Sequence, residues 1–117
     1  MWEYKGKVVR VVDGDTFDIV VDLGFNIYHQ IRVRLRGVDT PEVYGADASV
    51  EGRASSELVK RLIEGKDVII TTYKSIATSY NRYEADVQYI DTMGATIQLG
   101  EELVKRGYAK LDSRRTT

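Results

Sequence analysis

The chain has 117 residues, of which 43% are hydrophobic and 30% charged, with a net charge of −1 and no cysteine. That composition fits one globular domain spanning residues 1–117. It excludes a disordered chain, a disulfide scaffold and a thiolate metal site. The near-neutral charge argues against a protein that coats nucleic acid, although an enzyme needs positive charge focused at one site only.

The longest apolar runs are short, such as Ile19-Val20-Val21, far from the roughly 20 residues of a membrane helix. Met1-Trp2-Glu3-Tyr4-Lys5 lacks the basic and apolar regions of a secretory signal, so a cytoplasmic location is expected.

The first third of the chain reads as strands. Lys7 to Val12 is rich in β-branched residues and stops at Asp13-Gly14, a turn signal. From Thr16 to Leu23, Phe17, Ile19, Val21 and Leu23 alternate with Asp18 and Asp22. From Tyr28 to Gly37, Ile31, Val33 and Leu35 face one way and Arg32, Arg34 and Arg36 the other. Asp39-Thr40-Pro41-Glu42 breaks the alternation, with Pro41 fixing φ just past the strand.

A helix is expected over about Val50 to Glu64. Ala54, Leu58 and Leu62 repeat at every fourth position, with Val59 and Ile63 beside them and Gly65 at the C-cap. Two more strands follow, Asp67 to Thr72 and Tyr83 to Asp91, the second with Ala85, Val87 and Tyr89 on one face. A second helix covers about Gly100 to Arg106, with Glu101 and Glu102 in its first turn and Gly107 beyond its end. The order β-β-β-α-β-β-α matches a mainly β, α+β architecture, the five-stranded OB-fold barrel.

Four features carry candidate chemistry. Asp13-Gly14-Asp15-Thr16 places two carboxylates around a glycine, a sequence that also serves as a plain turn. Asp39 and Thr40 suit a loop entry, but Glu42 adds an acid that a loop entry does not need. Arg34 lies on a strand face where a solvated arginine is the default, and Arg82 alone is a surface arginine. Together they form a coherent set. Asp15, Asp39 and the Thr40 carbonyl are hard oxygen donors for a cation such as Ca²⁺. Arg34 and Arg82 suit phosphate oxygens, and Glu42 suits the orientation or deprotonation of a water.

The stretches VVRVVDGDTFDI, RVRLRGVDTPE, SYNRYEADVQYI and GEELVKRGYAKL, in that order, resemble the staphylococcal nuclease family over about Val8 to Leu111. The resemblance implies an OB-fold and Ca²⁺-dependent hydrolysis of DNA and RNA, with water attacking phosphorus and the 5′-oxygen leaving. It implies that Asp15, Asp39 and the Thr40 backbone oxygen bind calcium, that Arg34 and Arg82 grip the phosphate and that Glu42 is the general base. It also implies that Asp13 is an outer-shell acid and that Tyr80 touches a substrate phosphate. Three departures stand out. Asn81 replaces the glycine usual between the family's Tyr and Arg, Ser79 replaces a common lysine, and Asp112-Ser113 stand where an aromatic is expected. They imply a reduced grip on the substrate.

The alternative is a non-catalytic OB module that binds nucleic acid or protein. An oligosaccharide-binding OB domain is a third reading that no residue favours. Tyr28, Tyr44, Tyr73 and Tyr80 are candidates for stacking on bases, whereas Tyr89 and Tyr108 are expected in the core. His29, the single histidine, is read as structural.

Overall fold

The computed structural model describes residues 2–41, 50–72 and 82–111. β1 (Trp2–Asp13), β2 (Thr16–Asp22) and β3 (Tyr28–Leu35) form an antiparallel meander. A two-residue strand, β4 (Val38–Asp39), follows the turn at Arg36-Gly37. After helix α1 (Val50–Ile63), β5 (Asp67–Thr72) pairs with β1, and β6 (Arg82–Ile90) pairs with β5. β3 and β6 then run in parallel, from Arg32 opposite Arg82 to Leu35 opposite Ala85, and so close the barrel. β7 (Thr96–Gln98) extends the sheet beyond β6, α2 (Leu99–Lys105) follows it, and β8 (Lys110–Leu111) pairs with β4.

The expected OB-fold barrel and its element order are present. β4, β7 and β8 were not anticipated, because segments of two or three residues carry no readable period. β1 is also longer than its β-branched stretch, since Trp2 to Lys7 are drawn into the sheet by pairing with β5.

The barrel is filled by alternate residues of every long strand, among them Val8, Val11, Phe17, Ile19, Val33, Leu35, Ile70 and Val87. Tyr89 is in this core and Tyr108 packs against it, as expected. Leu23 is exposed instead, because β2 ends one residue earlier at Asp22. Asp18, which alternates with the apolar row, is also buried. Its carboxylate accepts two bonds from Arg32 directly across the strand pair, from Nε at 2.8 Å and Nη2 at 3.2 Å. A buried carboxylate needs such partners to offset its lost hydration.

Helix α1 closes one end of the core. It buries Gly52, Ser55, Ser56, Leu58, Val59 and Ile63, while Ala54 is exposed and Leu62 half-buried. The inward face is thus rotated from the expected Ala54-Leu58-Leu62 row. The small residues Gly52 and Ser55 lie on the buried face instead. Gly65 and Gly107, at φ 77° and 81°, end the two helices as expected.

The end of α1 is fastened to an irregular part of β1. The pairing of β1 with β2 shifts register between Val8 and Arg10 and again between Val11 and Asp13. Such bulges free backbone groups from the ladder. Val8 exchanges bonds with the helix exit, accepting from Gly65 N–H at 2.7 Å and donating to the Lys66 carbonyl at 3.1 Å. Val11 N–H donates to Glu64 Oε2 at 2.9 Å. A hydrogen bond to a charged acceptor contributes about 1.5–3 kcal/mol. Glu64→Ala should therefore lower the urea-derived stability by about 2 kcal/mol, and Glu64→Gln, which keeps an acceptor oxygen, by less.

Candidate active site

The segment Asp13-Gly14-Asp15-Thr16 joins β1 to β2, and the ladder ends with Asp13 opposite Thr16. Asp13 Oδ1 accepts the Asp15 N–H at 3.1 Å, an Asx turn that explains the first carboxylate. Asp15 has a different environment. Its residue is 9% exposed, and its backbone carbonyl accepts the Leu35 N–H at 2.7 Å. Its side chain reaches away from the turn. Oδ2 accepts the Thr40 N–H and Oδ1 accepts the Thr16 hydroxyl, both at 3.1 Å. The turn reading therefore accounts for Asp13 and leaves Asp15 over.

Arg34 comes from the arginine row of β3. Arg32 is taken up by Asp18, and Arg36 lies past the strand in the turn. Arg34 is only 8% exposed. Its Nη2 is ion-paired with Asp39 Oδ1 and lies 3.8 Å from Asp15 Oδ2. Two carboxylates distant in sequence thus converge on one guanidinium nitrogen. Asp39 is the more open of the two, its side chain 48% exposed against 12% for Asp15.

Asp39 is fixed through its backbone. β4 pairs with β8, setting Asp39 opposite Lys110 and Val38 opposite Leu111. The Ser55 hydroxyl of α1 donates to the Tyr108 carbonyl at 3.0 Å, just ahead of β8. Ser55 and Lys110 were not singled out from the sequence. The available signal for Ser55 was a serine within the helical period of Leu58, Leu62 and Val59; Lys110 carried none.

Burial, reinforced by the hydrogen bond and negative charge of Asp13, raises the Asp15 carboxyl from its ordinary value of 3.8 to about 6. The Thr40 N–H and the Arg34 charge oppose this without cancelling it. Asp15 and Asp39 thus meet at Arg34, with Asp13 adding negative charge beside Asp15, an excess of negative charge in a half-sheltered place. That excess and the all-oxygen donors fit a hard cation. Among the described residues no group of three or more His, Cys, Asp or Glu side chains is arranged to hold a metal. The side chains that meet at Arg34 are the two carboxylates of Asp15 and Asp39. His29 is exposed and pairs with Val21, toward the opposite end of β3 from Arg34.

Glu42, Tyr44, Tyr73, Ser79, Tyr80, Asn81, Asp112 and Ser113 lie outside the described residues. Arg82 is placed by its backbone, which opens β6 opposite Arg32, two residues along β3 from Arg34; its guanidinium lies outside the described atoms. Tyr28 is exposed but lines a groove of about 780 Å³ with Lys5, Lys7, Val20, Ile69 and Ile90. That groove carries none of the acids or arginines singled out above.

A closed OB barrel with acids from two turns around a buried arginine defines a class, and comparison with known proteins agrees. Residues 32–117 match the family described as staphylococcal nuclease homologue, and the chain belongs to that family. The match includes Arg34 and Asp39 and begins after Asp13 and Asp15. The chain is 34% identical over 110 residues to a thermonuclease of Staphylococcus hyicus, covering 92% of this chain and 56% of that protein. It is 36% identical over 115 residues to the endonuclease YhcR of Bacillus subtilis, covering 92% of this chain and 9% of YhcR. An uncharacterized protein of Methanocaldococcus jannaschii is 30% identical over 128 residues, covering 92% of this chain and 59% of that protein. The chain thus spans less than two thirds of these relatives.

The raised Asp15 pKa has a sign that can be measured. The folded state holds this proton more tightly than the unfolded chain, so folding stability falls as pH rises from about 4 to about 6 and the cost is fully present above that. Asp15→Asn removes the cost. In EDTA at pH 7 it should melt several degrees higher than the wild type, and the difference should vanish below pH 4, as followed by circular dichroism.

Proposed function

We propose that this chain is a Ca²⁺-dependent nuclease that hydrolyses phosphodiester bonds of DNA or RNA, with residues 1–117 forming one OB-fold domain. The observation that carries this reading is the convergence of Asp15 and Asp39 on Arg34. The names of the thermonuclease and endonuclease relatives support it.

Asp15, Asp39 and the Thr40 backbone oxygen would hold the calcium ion. When bound, the ion supplies Lewis acidity at a phosphate oxygen and lowers the cost of bringing an anionic substrate to three carboxylates. Asp13 orders the turn and adds outer-shell negative charge. Arg34 stands within reach of both carboxylates and would donate to a phosphate held beside them. Arginine forks match the equatorial oxygens of a five-coordinate phosphorus, where an added negative charge develops. Arg82, entering beside β3, serves as the second arm of this clamp. Glu42 takes the water proton or aligns the water for attack on phosphorus, Tyr80 touches a neighbouring phosphate, and the 5′-oxygen leaves. The roles of Glu42 and Tyr80 rest on their places in the motifs.

An acidic site around one buried arginine binds a phosphodiester poorly until a cation is present, so calcium is expected to act as a switch. Single-stranded DNA should be cleaved with Ca²⁺ and left intact in excess EDTA; equal cleavage in EDTA would sink the metal-dependent mechanism. Stable DNA binding without cleavage under both conditions would favour the non-catalytic OB module. Arg34→Ala and Arg82→Ala should each lower kcat by about 10²–10³-fold, the loss typical of one donor to the transition state. Wild-type turnover in both variants would refute the clamp.

A further inference from the structure

Gly14 sits between the two acids of the first turn, where a glycine is ordinarily explained by backbone conformation. That explanation does not apply here, because Gly14 lacks the positive φ that favours glycine. Space is the constraint. A methyl group on Gly14 would lie 2.8 Å from Thr40 Oγ1, 2.9 Å from Thr40 Cβ and 3.0 Å from Ser55 Cβ. Ordinary carbon contacts are about 3.5–4.0 Å, so at least one of these neighbours would have to move.

Two of those three atoms belong to Thr40, and its connections decide what moves. Its N–H holds Asp15 Oδ2 at 3.1 Å, and its backbone follows directly on Asp39. Its hydroxyl oxygen is buried and has no hydrogen-bond partner among the described residues. The Thr40 side chain is therefore seated by packing rather than by polar bonds. Ser55 is the less mobile wall. It is fully buried in α1 and bonded to the Tyr108 carbonyl. An added methyl group would thus displace Thr40, and with it the segment carrying Asp39, away from Asp15.

We propose that Gly14 is a positioning residue of the cation site. Its missing side chain lets the Asp13–Asp15 turn seat against Thr40 and Ser55, and this seating fixes the separation of the two ligand carboxylates. The inference rests on the reading of Asp15 and Asp39 as cation ligands. It differs from a turn role in its consequence. A turn glycine with ordinary φ tolerates alanine, and the substitution is then neutral or stabilising.

The test uses the whole chain with Gly14→Ala, Thr40→Gly and the double variant. Calcium affinity is measured by titration calorimetry and by displacement of terbium luminescence, and folding by circular dichroism and thermal melting in EDTA. Gly14→Ala should remain folded but bind calcium at least tenfold more weakly than the wild type. Thr40→Gly removes two of the three crowding atoms, so the double variant should bind calcium more tightly than Gly14→Ala alone. Wild-type affinity in Gly14→Ala, losses that simply add in the double variant, or a Gly14→Ala chain that does not fold would each overturn the proposal. Failure of the wild type to bind calcium would instead overturn the ligand assignment, and this inference with it.

Discussion

A guanidinium that is only 8% exposed keeps its charge only where anions and acceptors replace the lost water. Arg34 is in that position, and much of the surrounding structure follows from it. Asp39 is ion-paired with it and Asp15 stands 3.8 Å away. To bring those acids together, the β1–β2 turn and the segment after β3 must meet at the same end of the barrel. The Leu35 N–H to Asp15 carbonyl bond and the β4–β8 bridge hold them there. The parallel pairing of β3 with β6 sets the Arg82 backbone opposite Arg32 and Glu84 opposite Arg34. An ion pair whose carboxylate is half-exposed, as that of Asp39 is, is weak as a source of stability.

The barrel was largely legible in the sequence because its long strands carry a strict period of two. Val33 and Leu35 against Arg32 and Arg34 is an alternation that fixes both face and register. The boundaries of β1 and the rotation of α1 were less legible, for a common reason. Trp2 to Lys7 become strand through a partner that arrives some sixty residues later, and Gly52 and Ser55 face inward because small residues admit close approach. Neither is a property of the local segment. The same distinction applies at the site. Asp15 and Asp39 stood out as acids in unusual company, and the structure brings both to Arg34. Asp18 and Arg32 also carry charge at the right period, yet they neutralise each other across the sheet. Lys110 gave no sign and Ser55 only its place in the helical period, because their contributions depend on a strand of two residues and the segment just ahead of it.

The site is built against stability. Burial and a second carboxylate hold the Asp15 proton up to about 6, so at neutral pH the folded chain carries an ionised acid in an unfavourable place. Such a cost is common where a protein holds groups ready for a ligand, and it is offset elsewhere by the core. Here the offset comes from a continuous apolar interior running from Val8 to Leu103. With the Asp15 carboxyl at about 6, mildly acid pH changes the charge of this site.

The pairing of β4 with β8 bears on when the site comes into being. Asp15, Arg34 and Asp39 are all made early in synthesis, within the meander, but the strand that braces Asp39 is among the last parts of the described chain to be made. Contacts between segments so far apart form late, since closing long loops costs entropy before it is rewarded. A nascent chain therefore carries both acids and the arginine without the completed clamp. The placing of Asp39 is thus a late event in folding, complete only once β8 has joined β4.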